Sequence, residues 1–518
     1  MFDGATTSAV LDDEWLQGAL DELNERWRAA AGAPSPGPGQ RLAAQLEAGA
    51  LHLSEIRSAQ AVIGAQEARR ARAIAAFCRC RPASLDRPAS EIGAAAAATR
   101  AARPSALTTV SEWAVDEVAV ALSLGESGAS RLVVQSLHLV ERLPGTLRAL
   151  ETGRLSWEHA RVMSEVVAPL DDDLRGQAED RLLARLGSKT PTQLRAAAHR
   201  VVARLDAEAV LRRIREAVLE RRVGIYPTGD GMGSLCASGL PMPVLRAVED
   251  ALRQYADAAA VPGDERTRAQ RMADCLVDLV LRPGEHGLAP VQAQLTVVAT
   301  PGTLDGTDDE PGEVNGDLVP AGMVRRLAET LGVLHPDDAV PDDAVPDDAV
   351  DARPRLAHLW GDRSSAGTAS ARRPDVAVVD ELTGQLLALT DAAGLRAGRP
   401  LGPPPPTTGY APTAALRRFV GLRDRRCRFP GCRRRPSGCD LHHRTSWPAG
   451  PTAHDNLCSL CRHHHRLVHQ APGWRLRGLD DGSLEWRTPT GQVLVTHPPR
   501  FGADDDLPPP AAPDPPPF

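Results

Sequence analysis

The sequence predicts a mainly α-helical N-terminal domain, a disordered acidic linker, and a small α+β C-terminal domain stapled by structural zinc. Three observations carry this. Apolar residues recur at intervals of three and four from about residue 41 to 282, PDDAV runs three times in tandem from Pro336 to Val350, and the stretch Cys427–His469 holds five cysteines and seven histidines. In that last stretch the Cys and His sit among Arg, Pro, Gly and Ser, which cannot supply a large apolar core. A metal must then do what burial cannot.

At 518 residues the chain has room for about three domains. Its net charge of -7 does not mark the whole protein as a nucleic-acid binder. Five of the nine cysteines crowd into the metal-rich stretch, which fits a reducing compartment better than a disulfide scaffold. The start, MFDGATTSAVLDDEWL, lacks the basic and apolar segments of a signal peptide, and no run of eighteen apolar residues occurs. The expectation is a soluble, cytoplasmic protein without a membrane partner; nothing names a protein partner.

Residues 1–40 hold one helix, Asp12 to Ala31, and the linker GAPSPGPGQ. Residues 41–300 form the helical domain. Val115, Val118, Ala119 and Leu122 share one helix face, as do Val210, Leu211, Ile214, Ala217 and Val218 after a capping Asp206. Thr190, Pro191 and Gln193 make a capping box with Pro at the first helical position. Val223 to Leu240 reads as a hairpin, Gln292 to Thr300 as a strand, and Trp157, His159 and Arg161 as helix-capping and packing residues. Residues 301–409 are an acidic, Pro-rich linker: DGTDDEPGE is irregular, the PDDAV repeats are too poor in large apolar side chains to fold, Asp375 to Leu389 adds a hairpin, and GRPLGPPPPTTG is stiff. Residues 410–500 form the C-terminal domain, closed by a hairpin over Trp474–Val495 with an Asp481-Gly482 turn, and residues 501–518 are a disordered tail.

Within that domain, Cys427 and Cys432 bracket an FPG turn and Cys461 with His464 forms a second knuckle, giving C-x4-C and C-x2-H. This is the layout of a tetrahedral structural zinc site. Cys439 competes with His464 for the fourth place, whereas Cys458, after Leu457, reads as a buried apolar position. His465 and His469 are four apart and share one helix face, as a metal pair requires. His442 and His443 follow Leu441 on a short strand, and RTSWPAGPTAHDN is a returning loop. Strand, loop, strand and helix make a ββα finger around one metal. Neighbours on a strand face opposite ways, so His442 and His443 serve one centre only if the strand twists or ends there. Trp447 and His454 touch a base or cap the fold, and His463 is expected to face solvent.

Local charge differs from global charge: nine Arg stand against the single acid Asp424 between Leu416 and Arg435. Arg425, Arg426, Arg428, Arg433, Arg434 and Arg435 are therefore candidates for a phosphate-binding surface. Part of the clustering is compositional, since Lys189 is the only lysine in an Arg-rich chain.

DLHH, then DN with Asn456 thirteen residues after His443, then HHRLVH, resembles the His-Asn-His (HNH) nuclease motif of colicin-type DNases and zinc-supported bacterial HNH domains. The resemblance implies a ββα-metal (His-Me finger) fold in which His443 is the general base. It further implies that His442, His465 and His469 hold a divalent ion and that Asn456 ties the loop down. Each role has a physical basis: imidazole titrates near neutrality, a metal polarises phosphoryl oxygens, and an amide bridges two backbone segments with donor and acceptor together.

The phrases ERLPGTLRALETGRLSWEHARVM, GDGMGSLCASGLPMPVLRAVEDAL and RTRAQRMADCLVDLVL resemble the bacterial 13E12-repeat proteins, over most of residues 41–300 and again over 410–490. In that family a helical domain of unknown function precedes an HNH domain. The resemblances imply an endonuclease that hydrolyses phosphodiester bonds in DNA to 5'-phosphate and 3'-hydroxyl ends, with Mg, Mn, Ni or Zn at the catalytic site beside a structural Zn. Three imidazoles form a softer site than the carboxylates Mg prefers. Two other readings stand beside it: a zinc-dependent DNA-binding regulator with a vestigial nuclease site, and a helical partner-binding protein anchored by its C-terminal domain.

Overall fold

Apolar spacing and capping residues set the helices that open the chain. In this computed structural model the described residues are 38–206, most of 214–281, 297–330 apart from 315–316, 375–391 apart from 381–383, and 402–501, with a few positions between 17 and 26. Helix α1, Pro38–Arg79, buries Ala68, Ala71, Ile74, Ala75 and Cys78 near its end. Then come α2 (Ala114–Ala121), α3 (Glu126–Leu137), α4 (Pro144–Glu151), α5 (Trp157–Val166), α6 (Asp172–Ala184) and α7 (Pro191–Leu205). The Thr190 box is present: Gln193 N–H donates to Thr190 Oγ1 at 3.3 Å and Thr190 N–H to Gln193 Oε1 at 2.9 Å.

A second box joins Ser156 to His159, whose Nε2 lies 2.9 Å from the Lys189 carbonyl, so His159 caps and packs, with Arg161 paired to Glu158 at 2.7 Å. Asp206 closes α7 as its C-cap, and most of the helix it was expected to start lies outside the described residues. One apolar core forms around Leu139, Leu150, Met163 and Leu194, and another joins the end of α1 to α2 and α3. The expected hairpin is β1 (Arg222–Gly229) against β2 (Met232–Ser238), followed by α8 (Met242–Ala258) and α9 (Arg268–Leu281).

Part of the expected linker is folded. Strands β3 (Val297–Val298), β4 (Gly312–Val314), β5 (Asp317–Val319), β6 (Asp375–Val379) and β7 (Leu386–Asp391) build one sheet in the order β5-β4-β3-β6-β7. The acids of DGTDDEPGE are used within it: the Thr300 and Thr303 hydroxyls donate to Asp308 at 3.1 and 3.0 Å, and Asp309 pairs with Arg325 at 3.0 Å. Local hydrogen bonding thus overrides an unpromising composition. The Asp375–Leu389 hairpin is present as β6 and β7, whereas the PDDAV repeats, most of the Asp12–Ala31 helix and the tail from Asp504 lie outside the described residues.

The C-terminal region is smaller and mixed. Helix α10 (Ala414–Asp424) precedes the antiparallel pair β8 (Cys439–His443) and β9 (Leu457–Cys461), helix α11 (Arg462–Gln470), and a three-stranded sheet of β10 (Arg475–Gly478), β11 (Leu484–Arg487) and β12 (Val493–Thr496). The closing hairpin therefore gains a third strand. Gly482, at φ +83°, makes the turn after Asp481 with a left-handed backbone that glycine adopts without penalty. Two apolar contacts hold this region in place. Trp113 and Val120 share a core with Phe429, Leu460, Leu467 and Trp486, while Val298, Ala377 and Leu386 share another with Phe419, Leu457 and Phe501.

Candidate metal centres

Cys427, Cys432, Cys461 and His464 are all buried, and their ligand atoms lie within 4.8 Å of one another. Gly431, at φ +72°, completes the turn that returns Cys432 to Cys427, and Cys432 N–H donates to the Phe429 carbonyl at 3.1 Å. The second knuckle spans the junction of β9 and α11: Cys461 is the N-cap, and His464 sits in the first turn. The Nδ1 of His464 lies 3.4 Å from Cys427 Sγ and 3.2 Å from Cys461 Sγ, and its ring stacks on Phe429 at 3.8 Å. Burial pushes the Cys427 thiol well up, while hydrogen bonds from Cys427 and Cys432 hold Cys461 well down. Crowded, desolvated sulfurs of this kind are satisfied together by a divalent cation, so the donor set fits zinc. Cys439 falls outside the group: it is half-buried, and its Sγ–H donates to the Arg435 carbonyl at 3.4 Å. Cys458 packs in the apolar core, where burial pushes its thiol up to about 12.

A second group joins β8 to α11. His442, His465 and His469 bring ring nitrogens within 4.8 Å of one another, with ring centroids 5.1 to 5.3 Å apart. Burial and the neighbouring His465 and His469 push His442 down to about 3, and burial with His465 also lowers His469. Neutral imidazoles are the ligating form. Asp440 Oδ2 lies 3.5 Å from His465 Nδ1, an outer carboxylate that the motif did not single out.

His443 is the last residue of β8, so the strand ends where two adjacent histidines need it to. Its Nε2 is 2.9 Å from Thr452 Oγ1, and its ring stacks on Tyr410 at 5.2 Å. Burial, then His465, hold its imidazole below the usual range. Asn456 bridges the loop: its Oδ1 accepts from Thr445 N–H at 2.8 Å, and its Nδ2 donates to the Thr445 and Pro451 carbonyls at 2.9 and 2.8 Å. A Cβ at Gly450 would stand 2.6 Å from both Asn456 Nδ2 and the Thr445 carbonyl, so only glycine fits this return. Trp447 and His454 lie edge-on to Tyr410 and Phe419, at 6.0 and 5.7 Å.

Comparison with known proteins reaches well beyond the two centres. The model of a family described as a domain of unknown function, DUF222, matches residues 78–344, just over half of the chain. The chain belongs to this DUF222 family. An uncharacterized protein of Mycobacterium tuberculosis, Rv3776, is 28% identical over 403 residues, covering 75% of this chain and 72% of its own length. A second uncharacterized protein of that organism, Rv2100, is 46% identical over 89 residues, 17% of this chain and 16% of its own. No solved structure matches.

Every residue of the two centres lies beyond the DUF222 match, but the DUF222 domain reaches the first of them. His463, expected in solvent, instead places Nε2 at 2.8 Å from Asp116 Oδ2 and packs its ring on Trp113 at 5.1 Å. His464 Nε2 lies 3.2 Å from Asp116 Oδ1. These three residues also bring ligand atoms within 4.8 Å of one another, sharing His464 with the first group. Asp116 was not legible as a site residue, because an acid in the first turn of a helix is ordinarily explained by the helix dipole. The one available signal was its place between Trp113 and Val120 on a single helix face.

The arginine cluster also needs correction. Arg428 is buried, pairs with the buried Asp424 at 3.3 Å and donates to the Thr496 and Gly482 carbonyls at 2.8 and 3.3 Å. Arg425 pairs with Glu313 at 2.5 Å and lies over the Phe501 ring at 4.0 Å. Both hold the domain together and neither is presented to a phosphate. Arg426 is half-buried, whereas Arg433, Arg434 and Arg435 are exposed, with Arg435 3.3 Å from Asp317.

Proposed function

We propose that this chain is an HNH-type, metal-dependent endonuclease that hydrolyses phosphodiester bonds in DNA. The observation that carries the reading is the convergence of His442, His465 and His469 beside a neutral His443 at the end of β8, with the loop that follows pinned by Asn456. β8, β9 and α11 supply the two strands and helix of a His-Me finger, with the Cys3His group stapling its edge. His442, His465 and His469 would hold a divalent ion, whether Mg, Mn, Ni or Zn, which would supply Lewis acidity for phosphoryl transfer.

The protein's own groups do the rest. Thr452 Oγ1 donates to the Tyr410 carbonyl at 3.4 Å, so it accepts from His443 Nε2–H and leaves Nδ1 with the lone pair. His443 Nδ1 then takes the proton of an attacking water, and the Tyr410 stack keeps the ring aimed. Asn456 holds Thr445 and Pro451, and with them the loop that carries Thr452. Exposed Arg433, Arg434 and Arg435 offer charge to the phosphate backbone. Incubation of the full chain with supercoiled plasmid and with single-stranded DNA tests this across the four metals. Metal-dependent nicking is expected; salt-sensitive binding with no cleavage under any metal would assign a DNA-binding regulator instead.

A further inference from the structure

We propose that the DUF222 domain completes the zinc centre: Asp116 is a positioning residue that fixes the ligating face of His464 from outside its own domain. This rests on reading the Cys3His group as a zinc site. His464 turns Nδ1 toward Cys427 and Cys461, which leaves Nε2–H to be satisfied elsewhere. The acceptor is Asp116 Oδ1 at 3.2 Å, more than three hundred residues away in sequence and almost wholly buried, and its other oxygen accepts from His463 at 2.8 Å. A carboxylate behind a metal-bound imidazole sets the tautomer and ring orientation and raises ligand basicity. A buried carboxylate without such donors would be strongly disfavoured, so the zinc knuckle in turn satisfies Asp116.

The surrounding contacts make the junction specific. Glu112 pairs with Arg466, whose guanidinium lies 5.4 Å over Trp113, and Gln470 Nε2 donates to the Gly93 carbonyl at 2.9 Å. Trp113, Asp116 and Val120 thus present one face of α2 to α11 and the core beneath it. A domain of otherwise unknown task is in this way an integral part of the metal-binding unit, and the metal-bound histidine locks the two halves together.

The test is zinc retention by the full-length protein, measured as release to a chromophoric chelator, in wild type, Asp116→Asn, Asp116→Ala, His463→Gln and Glu112→Gln. Loss of the outer carboxylate is expected to weaken zinc binding about 10- to 100-fold. In the cobalt-substituted Asp116→Asn protein the thiolate absorption should persist, because the four ligands remain. Glu112→Gln, which removes a part-buried interface ion pair without touching a ligand, should leave retention much closer to wild type than Asp116→Asn does, and so should His463→Gln. Should Asp116→Ala not fold, Asp116→Asn, which keeps shape and one acceptor, carries the comparison. Wild-type zinc with unchanged retention in Asp116→Asn would overturn the outer-carboxylate role alone. Equal losses in His463→Gln and Asp116→Asn would place the ion among Asp116, His463 and His464, also against it. A wild-type protein that binds no zinc would overturn the Cys3His reading and this inference together.

Discussion

In the proposed role His443 has to meet two demands that usually conflict, since a proton acceptor must be held firmly and still keep a free lone pair. Thr452 and Tyr410 hold it, and burial with the nearby His465 keeps it neutral. The folded-state pKa lies below the ordinary imidazole value near 6.5, so the lone pair is available above that folded value and is lost as pH falls through it. At saturating metal, the acid limb of the cleavage rate should therefore be centred below pH ~6.5; a limb centred at or above it would place the proton acceptor elsewhere. Asn456 works through geometry alone. Asn456→Ala removes the partners of the Thr445 N–H and of the Thr445 and Pro451 carbonyls, which should cost about 1–3 kcal/mol in a denaturant titration. Release of the loop should also slow single-turnover cleavage by about 100-fold, whereas a variant of unchanged rate would remove the loop from the chemistry.

Among elements, the difference between a charge that folds the domain and one that greets a ligand decides the arginine cluster. Arg428 ties α10, through Asp424, to the carbonyls of the closing sheet, and Asp424 also accepts from Ser459 N–H at 2.6 Å on β9. Asp424 keeps Arg423 at 2.9 Å and the Ser459 N–H in Arg428→Met, so that variant should destabilise the protein by about 1–3 kcal/mol, mainly through the Gly482 and Thr496 carbonyls it leaves unpaired. Replacing exposed Arg433, Arg434 and Arg435 together with Ala should leave the thermal midpoint in place and lower the salt dependence of DNA binding by about three counterions. The opposite pattern would reverse the assignment. Sequence alone could not separate the two groups, because spacing along a loop says nothing of which side chains turn inward. The knuckles and the His465–His469 pair were legible, since their chemistry depends on local spacing that a turn or a helix preserves. Strand β3 falls within the strand expected over Gln292–Thr300, but the folded 301–330 stretch was not legible, because β4 and β5 are three residues long and join a sheet that β6 completes from a distant part of the chain.

For the whole molecule, the C-terminal metal region shares one apolar core with helix α2 of the DUF222 domain and another with the five-stranded sheet, whose β3, β4 and β5 also fall within the DUF222 match. Composition marks a helical part and a metal-rich part of the chain, yet it carries no sign of the junction between them. Trp113 and Asp116 are unremarkable within their own helix and acquire a role only when α11 packs against them. The most direct measurement is single-turnover nicking of supercoiled plasmid with Mn, by wild type and by His443→Ala, with Mn binding measured in parallel on both. The variant should keep its metal, since His442, His465 and His469 are untouched, and lose about 10²- to 10⁴-fold in rate. Equal rates in the two proteins, with metal bound to both, would contradict the assignment of His443 and the nuclease reading built on it.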